Sequence, residues 1–156
     1  MTSELRVDKI HNEGGDNDSG IDLSTNDQIV LKTANTTRLT MDATGQTTIV
    51  GEGGGTTTSV QQGLAKAWAR VAYEGTAQDS FNISSTTETS DSLYTITINN
   101  DMNTANYSLT AATHYAEIIA INSTATGNYA LRTYERTDSL TANDNQTHST
   151  VHGDLA

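Results

Sequence analysis

The chain is 156 residues long, carries a formal net charge of −11, and contains no Cys and no Pro. That balance excludes a phosphate-tracking nucleic-acid binder, which needs clustered Lys and Arg, and a fold held by disulfides or Cys-ligated zinc. Hydrophobic residues make up 34% and aromatics 5%, with one Trp and one Phe. Such a thin core leaves a monomer hard pressed to offset a backbone ordering cost of roughly 1–2 kcal/mol per residue.

The polar remainder is dominated by Thr, Ser and Asn, not by the Pro and dense charge of disordered chains. Thr is β-branched and suits a pleated, half-wet surface. The composition therefore points to a folded β protein that associates with copies of itself. No stretch nears the roughly 18 apolar residues of a membrane span. Residues 1–6 lack the apolar run of a secretory signal. Neither membrane insertion nor export through a signal is expected.

Residues 1–50 read as a region of short strands. Leu5 and Val7 open an apolar alternation, and residues 11–20 form a turn-rich acidic loop. Ile21/Leu23, Ile29/Leu31, Leu39/Met41 and Thr47/Ile49 then alternate in short beats, separated by turn residues at 25–27, 34–36 and 43–45. Short strands with a turn every eight to ten residues or so indicate β architecture. Each strand offers one modest apolar face, and nothing within the region covers it. Leu5, Val7, Ile29, Leu31, Leu39 and Met41 are therefore candidate association residues. Residues 51–62 are rich in Gly and Thr and are expected to be a linker. No Gly-Lys-Ser/Thr follows the glycines, so they do not read as a phosphate loop.

In residues 63–156, the stretch 64–73 fits two elements. Its alanines favour helix. The alternation of Lys66, Trp68 and Arg70 against Ala67, Ala69 and Val71 favours strand. Strand signals follow at 80–84, 93–99, 106–111, 115–121 and 128–134. Serial strands without helices suggest a small antiparallel sandwich or barrel. The polar tail, 137–156, is expected to wrap a neighbour or fray.

The chemistry-bearing residues give no catalytic set. His148 and His152 are spaced i, i+4, but their segment has poor helix propensity and lacks the Glu of a zincin helix. Carboxylates abound, yet glycan cleavage needs a cleft with aromatic platforms beside a positioned acid pair. No catalytic residue, cofactor or metal site is assigned, and the chain is read as non-enzymatic. Trp68, Phe81, Tyr94 and Tyr107 are candidates for core packing or for an interface between copies. Tyr115, Tyr129 and Tyr134 are candidates for stacking on a glycan.

The stretches Gly63-Leu64-Ala65-Lys66-Ala67-Trp68, Asp79-Ser80-Phe81-Asn82-Ile83-Ser84-Ser85, Leu93-Tyr94-Thr95-Ile96-Thr97-Ile98 and Met102-Asn103-Thr104-Ala105-Asn106-Tyr107 resemble, in order and spacing, a domain of bacteriophage tail-fibre proteins of the marine-phage type. The resemblance covers residues 63–134. It departs from that pattern at Ala69-Arg70, where a bulky residue usually follows the Trp. Residues 26–51, with Arg38-Leu39-Thr40-Met41-Asp42 and the Gly45 turn, resemble a phage-fibre shaft segment. The resemblance implies an all-β homotrimer. Residues 1–50 would form an intertwined, short-stranded β shaft or anchor, and residues 63–156 a small antiparallel β-sandwich knob. It also implies a strand at 64–73. The implied role is a virion protein, assembled in the host cytoplasm and exposed on the particle. Its partners would be tail or capsid proteins, and it would attach to host-surface glycan. A capsid decoration trimer is the alternative, and a glycan-cleaving tailspike a further one.

Overall fold

A computed structural model describes residues 5–12, 14, 17–51, 54–136 and 141–156. Every strand pairing is antiparallel. The only helical element among the described residues is one turn, α1 (Val60–Gly63). The chain is all-β, as its composition suggests. It divides into two units, Met1–Gln61 and Gln62–Ala156.

The first unit is a single-layer meander. Strands β1 (Lys9–His11), β2 (Gly20–Asp22), β3 (Ile29–Thr33), β4 (Thr36–Met41), β5 (Thr47–Val50) and β6 (Thr57–Ser59) pair strictly in chain order. Local turn chemistry sets the register. Ala34 and Asn35 both take positive φ, 49° and 55°, which gives the β3–β4 hairpin the twist of its strands. In the β4–β5 turn the Asp42 carboxylate accepts from Thr44 N at 2.9 Å, Thr44 Oγ1 at 2.7 Å and Gln46 N at 3.0 Å. These donors hold Asp42 below its usual carboxylate range.

The stretch expected to be a linker contributes strand β6, Thr57–Ser59, to this sheet. Gly51 N donates to Thr56 O at 2.8 Å, closing a hairpin that returns the chain along β5. Thr57 and Thr58 are β-branched and pair with Val50 and Ile49. Glu52 and Gly53 lie outside the described residues.

Among its described residues the second unit holds eight strands: β7 (Ala65–Val71), β8 (Ala77–Phe81), β9 (Ile83–Ser90), β10 (Leu93–Ile98), β11 (Ser108–Thr113), β12 (Ile118–Ala125), β13 (Asn128–Tyr134) and β14 (Thr147–His152). They form two sheets, β11-β14-β7-β8 and β12-β13-β10-β9. One core joins them. Ala67, Ala69 and Val71 come from β7 and Val151 from β14, facing Tyr94, Ile96 and Ile98 from β10 and Tyr129 and Leu131 from β13. This is an antiparallel sandwich. Three small residues on β7 leave room for two buried tyrosines on the facing sheet.

The stretch 64–73 contains strand β7, Ala65–Val71, as the alternation and the resemblance imply. The strand expected at 80–84 is broken at Asn82, where φ is 56° and the chain passes from one sheet to the other. The tail departs most from expectation. Beyond residues 137–140, which lie outside the described residues, it supplies β14, an inner strand between β11 and β7. Thr147, Ser149 and Val151 point inward and are buried. Their hydroxyls make the strand look like surface, while Val151 and the ladder make it core.

Candidate interaction surfaces

Two surfaces stand out, one in each unit. In the first unit, directly opposed residues of neighbouring strands share a face. Ile10, Ile21, Leu31, Leu39 and Ile49 are opposed in series across β1 to β5, and Ile29 opposes Met41 beside them. Among the described residues of the first unit none forms a second layer over this apolar row. Ile29 is 45%, Leu31 38%, Met41 41% and Ile49 41% exposed, and no described residue of the unit is fully buried. Leu39, in the middle, is half-buried. Leu5 and Val7 are exposed and precede β1, outside the row.

The reverse face is mostly polar: Lys9, Asp22, Val30, Thr40, Thr48 and Ser59 lie opposed in series. Lys32 Nζ donates to Asp22 Oδ2 at 2.6 Å. That bond, with donors from Ser24, holds the Asp22 carboxyl well below the usual range.

In the second unit the aromatic candidates separate. Tyr94 and Tyr107 pack inward as structural residues. Tyr94 is fully buried, and its hydroxyl donates to Tyr73 O at 3.0 Å and accepts from Asn145 N at 3.1 Å. The Tyr107 hydroxyl lies 3.1 Å from Ala125 O and 3.0 Å from Asn128 O. The Tyr94 ring is not available to another chain, whereas Tyr107 is half-buried. Tyr129 cannot stack on a sugar either. It is fully buried and its hydroxyl is 2.7 Å from Ser149 Oγ. Tyr115 is exposed and meets His114 edge-on at 4.9 Å. Tyr134 is half-buried opposite Ile118. Tyr115 and Tyr134 do not join the groove described next.

Trp68 and Phe81 point away from the core. With Ala67, Ala69 and Val71 inward, alternation puts Lys66, Trp68 and Arg70 on the outer face of β7. Two cross-strand rows result. One runs Thr110, Thr150, Trp68, Phe81, and the next runs Ala112, His148, Arg70, Asp79. A groove of about 420 Å³ lies over most of these two rows, lined by Trp68, Arg70, Asp79, Thr110, His148 and Thr150 among others but not by Phe81. His148 stacks on His114 with ring centroids 6.0 Å apart. Partial burial, Arg70 and His114 together lower the His148 pKa, which keeps the ring neutral near pH 7. The groove can stack, donate and accept. Asp79 is the one carboxylate among its described lining residues.

The i, i+4 spacing of His148 and His152 falls on a strand. Four residues there span about 13 Å, too far apart for one ion. Among the described residues no group of three His, Cys, Asp or Glu gathers to hold a metal, and no helix is long and apolar enough to cross a membrane. Sequence reasoning singled out Trp68 and its flanking cations. Asp79 and His148 become their neighbours only through the registers of β8 and β14, which the sequence does not reveal. No protein-family model, curated protein or solved structure matches the chain.

Proposed function

We propose that the chain is a non-enzymatic structural protein of a phage virion, displayed on the particle as a homotrimeric fibre-type protein that attaches to host-surface glycan. The observation that carries this reading is the uncovered apolar row of the first unit. A sheet one layer thick buries its hydrophobic face against something, and an exposed contiguous apolar patch marks an association site. Copies of the same chain are the simplest cover. A closed ring of three also shields the edge strands β1 and β6, which otherwise offer unpaired backbone groups. In this reading the first unit is the shaft or anchor and the second is the knob, with its outer face available to the host.

Light scattering on the purified protein tests the assembly. The expected mass is three times the 16.6 kDa of one chain, and a mass of one chain would sink the proposal. Attachment is tested by adsorption: the purified protein is expected to coat host cells and block the phage. Antibody-labelled copies are expected on the tail. Label confined to the head shell, with unstable capsids after deletion of the gene, would replace attachment by capsid decoration.

A further inference from the structure

The groove on the outer face of β11-β14-β7-β8 is chemically unlike an interface core. Its first row ends in Trp68, which lines the groove, and Phe81, which is opposed to Trp68 across β7 and β8 and lies outside the lining. Phe81 is more than half exposed. Its second row ends in Arg70 opposed to Asp79. Arg70 bonds Gln146 Oε1 at 3.4 Å, and the Asp79 carboxylate accepts from Ser80 N at 2.9 Å. Neither head group is taken up by the other. A guanidinium and a carboxylate held side by side form a donor–acceptor pair that matches adjacent sugar hydroxyls, each of which donates and accepts. Burying the same two charges against a second copy would carry a desolvation cost.

We propose that this groove is a carbohydrate subsite for neutral pyranose units of a surface glycan, with Trp68 beneath the C–H face of the sugar and Arg70 and Asp79 bonding its hydroxyls. This rests on the attachment reading above and deepens it by naming the site and the sugar class. The preference for a neutral sugar follows from charge. An anionic sugar drawn to Arg70 would meet Asp79 on the next strand, on a chain of net charge −11. His148 is neutral near pH 7 and adds no compensating charge. The volume, about 420 Å³, falls within the roughly 300–1,000 Å³ of ordinary ligand sites. The groove lies across the strands, so a linear glycan would pass over the sheet instead of ending in a closed pocket.

Trp68 is the only tryptophan of the chain, so its fluorescence reports directly on the groove. The full-length protein is titrated with neutral gluco-, manno- and galacto-oligosaccharides, and with oligogalacturonate as the anionic comparison. A saturable emission change with at least one neutral series is expected, and none with oligogalacturonate. By calorimetry, Trp68→Ala, Arg70→Ala and Asp79→Asn are each expected to weaken binding at least tenfold. Tyr73→Ala, an exposed aromatic outside the groove, is expected to bind as the parent does. Circular dichroism and light scattering confirm that each variant keeps its fold and mass. The assignment is overturned if no neutral series binds, if the acidic series binds better, or if Trp68→Ala and Arg70→Ala bind normally. It is also overturned if Trp68→Ala breaks the oligomer, which would make this face a contact between copies. Adhesion to host cells separates the two readings. Parent and Trp68→Ala adhering equally rejects the groove and leaves attachment standing. A parent that binds neutral sugar through Trp68 but adheres to no cell rejects attachment and leaves the groove.

Discussion

At Asn82 one side chain steers the passage between the two sheets of the sandwich. Its Nδ2 donates to Lys66 O at 2.9 Å and Asn100 O at 3.3 Å, and its Oδ1 accepts from Asn100 N at 2.9 Å and Asn100 Nδ2 at 3.0 Å. The backbone sits at φ 56°, a left-handed conformation that Asn tolerates better than most residues. Asn82→Ala is expected to lower stability by about 2–4 kcal/mol, from lost hydrogen bonds plus backbone strain. Asn82→Gly removes the bonds but not the conformational freedom, so it should cost less than Ala in urea titrations. Gly75 and Gly45 form a second contrast. Both have φ near 80°. A Cβ on Gly75 would run into the Glu88 backbone, whereas Gly45 faces open space. Gly45→Ala should cost roughly 1–2 kcal/mol of strain, and Gly75→Ala clearly more. The Tyr129 phenol is pushed up to about 12 by burial, against about 10 in the unfolded chain. Between those values the unfolded chain has already lost the proton that the folded chain keeps. Stability is therefore complete below pH ~10 and falls by about 3 kcal/mol as pH rises to ~12. Tyr129→Phe should remove that part of the alkaline loss, measured by denaturant titration across the same pH range.

Strand β14 carries the sandwich although its sequence resembles a surface segment. It lies between β11 and β7, so removing it unpairs both. Deleting residues 145–156 is expected to unfold the second unit, read as loss of strand signal in far-ultraviolet circular dichroism. Val151→Ala, at a fully buried position, should cost about 2 kcal/mol by cavity formation without that collapse. The contrast with β7 explains what the sequence revealed. On β7 the inner face is Ala67, Ala69 and Val71 and the outer face is Lys66, Trp68 and Arg70, so hydropathy alternates visibly. On β14 the inner face is Thr147, Ser149 and Val151 and the outer face is His148, Thr150 and His152. Polar alternates with polar, and hydropathy carries almost no signal. Ser149 is buried because its hydroxyl meets that of Tyr129 at 2.7 Å, a pairing set by tertiary structure alone. The groove was legible to the same extent. Trp68 and Arg70 could be placed on one face, but Asp79 and His148 join them only through the registers of β8 and β14. The glycine run misled in the other direction. Gly51 to Thr56 looks like a spacer, and only the Thr56 carbonyl bond back to Gly51 reveals a hairpin.

At the scale of the whole molecule, the scarcity of apolar residues is not shared equally. The second unit gathers a buried core, and the first has none among its described residues. The first unit's stability should therefore depend on protein concentration, as it does wherever folding and association are linked, while the second unit's should not. Leu31 is the most informative position, because it is opposed to Ile21 on one side and Leu39 on the other. Leu31→Asp places a carboxylate in the centre of the apolar row. If copies cover that row, the variant must bury an unpaired charge, a cost of several kcal/mol per chain. Three related copies would each pay it. The expected result is a monomer by light scattering, with the second unit still melting at its original temperature. Thr40→Asp, on the mostly polar reverse face beside Val30 and Thr48, is expected to leave the mass unchanged. If the meander instead stood alone with its row in water, Leu31→Asp would replace one exposed side chain by another. Its effect would then stay within about 0.5 kcal/mol, and the two variants would behave alike. The difference in mass between Leu31→Asp and Thr40→Asp thus tests whether the row is a joint between copies.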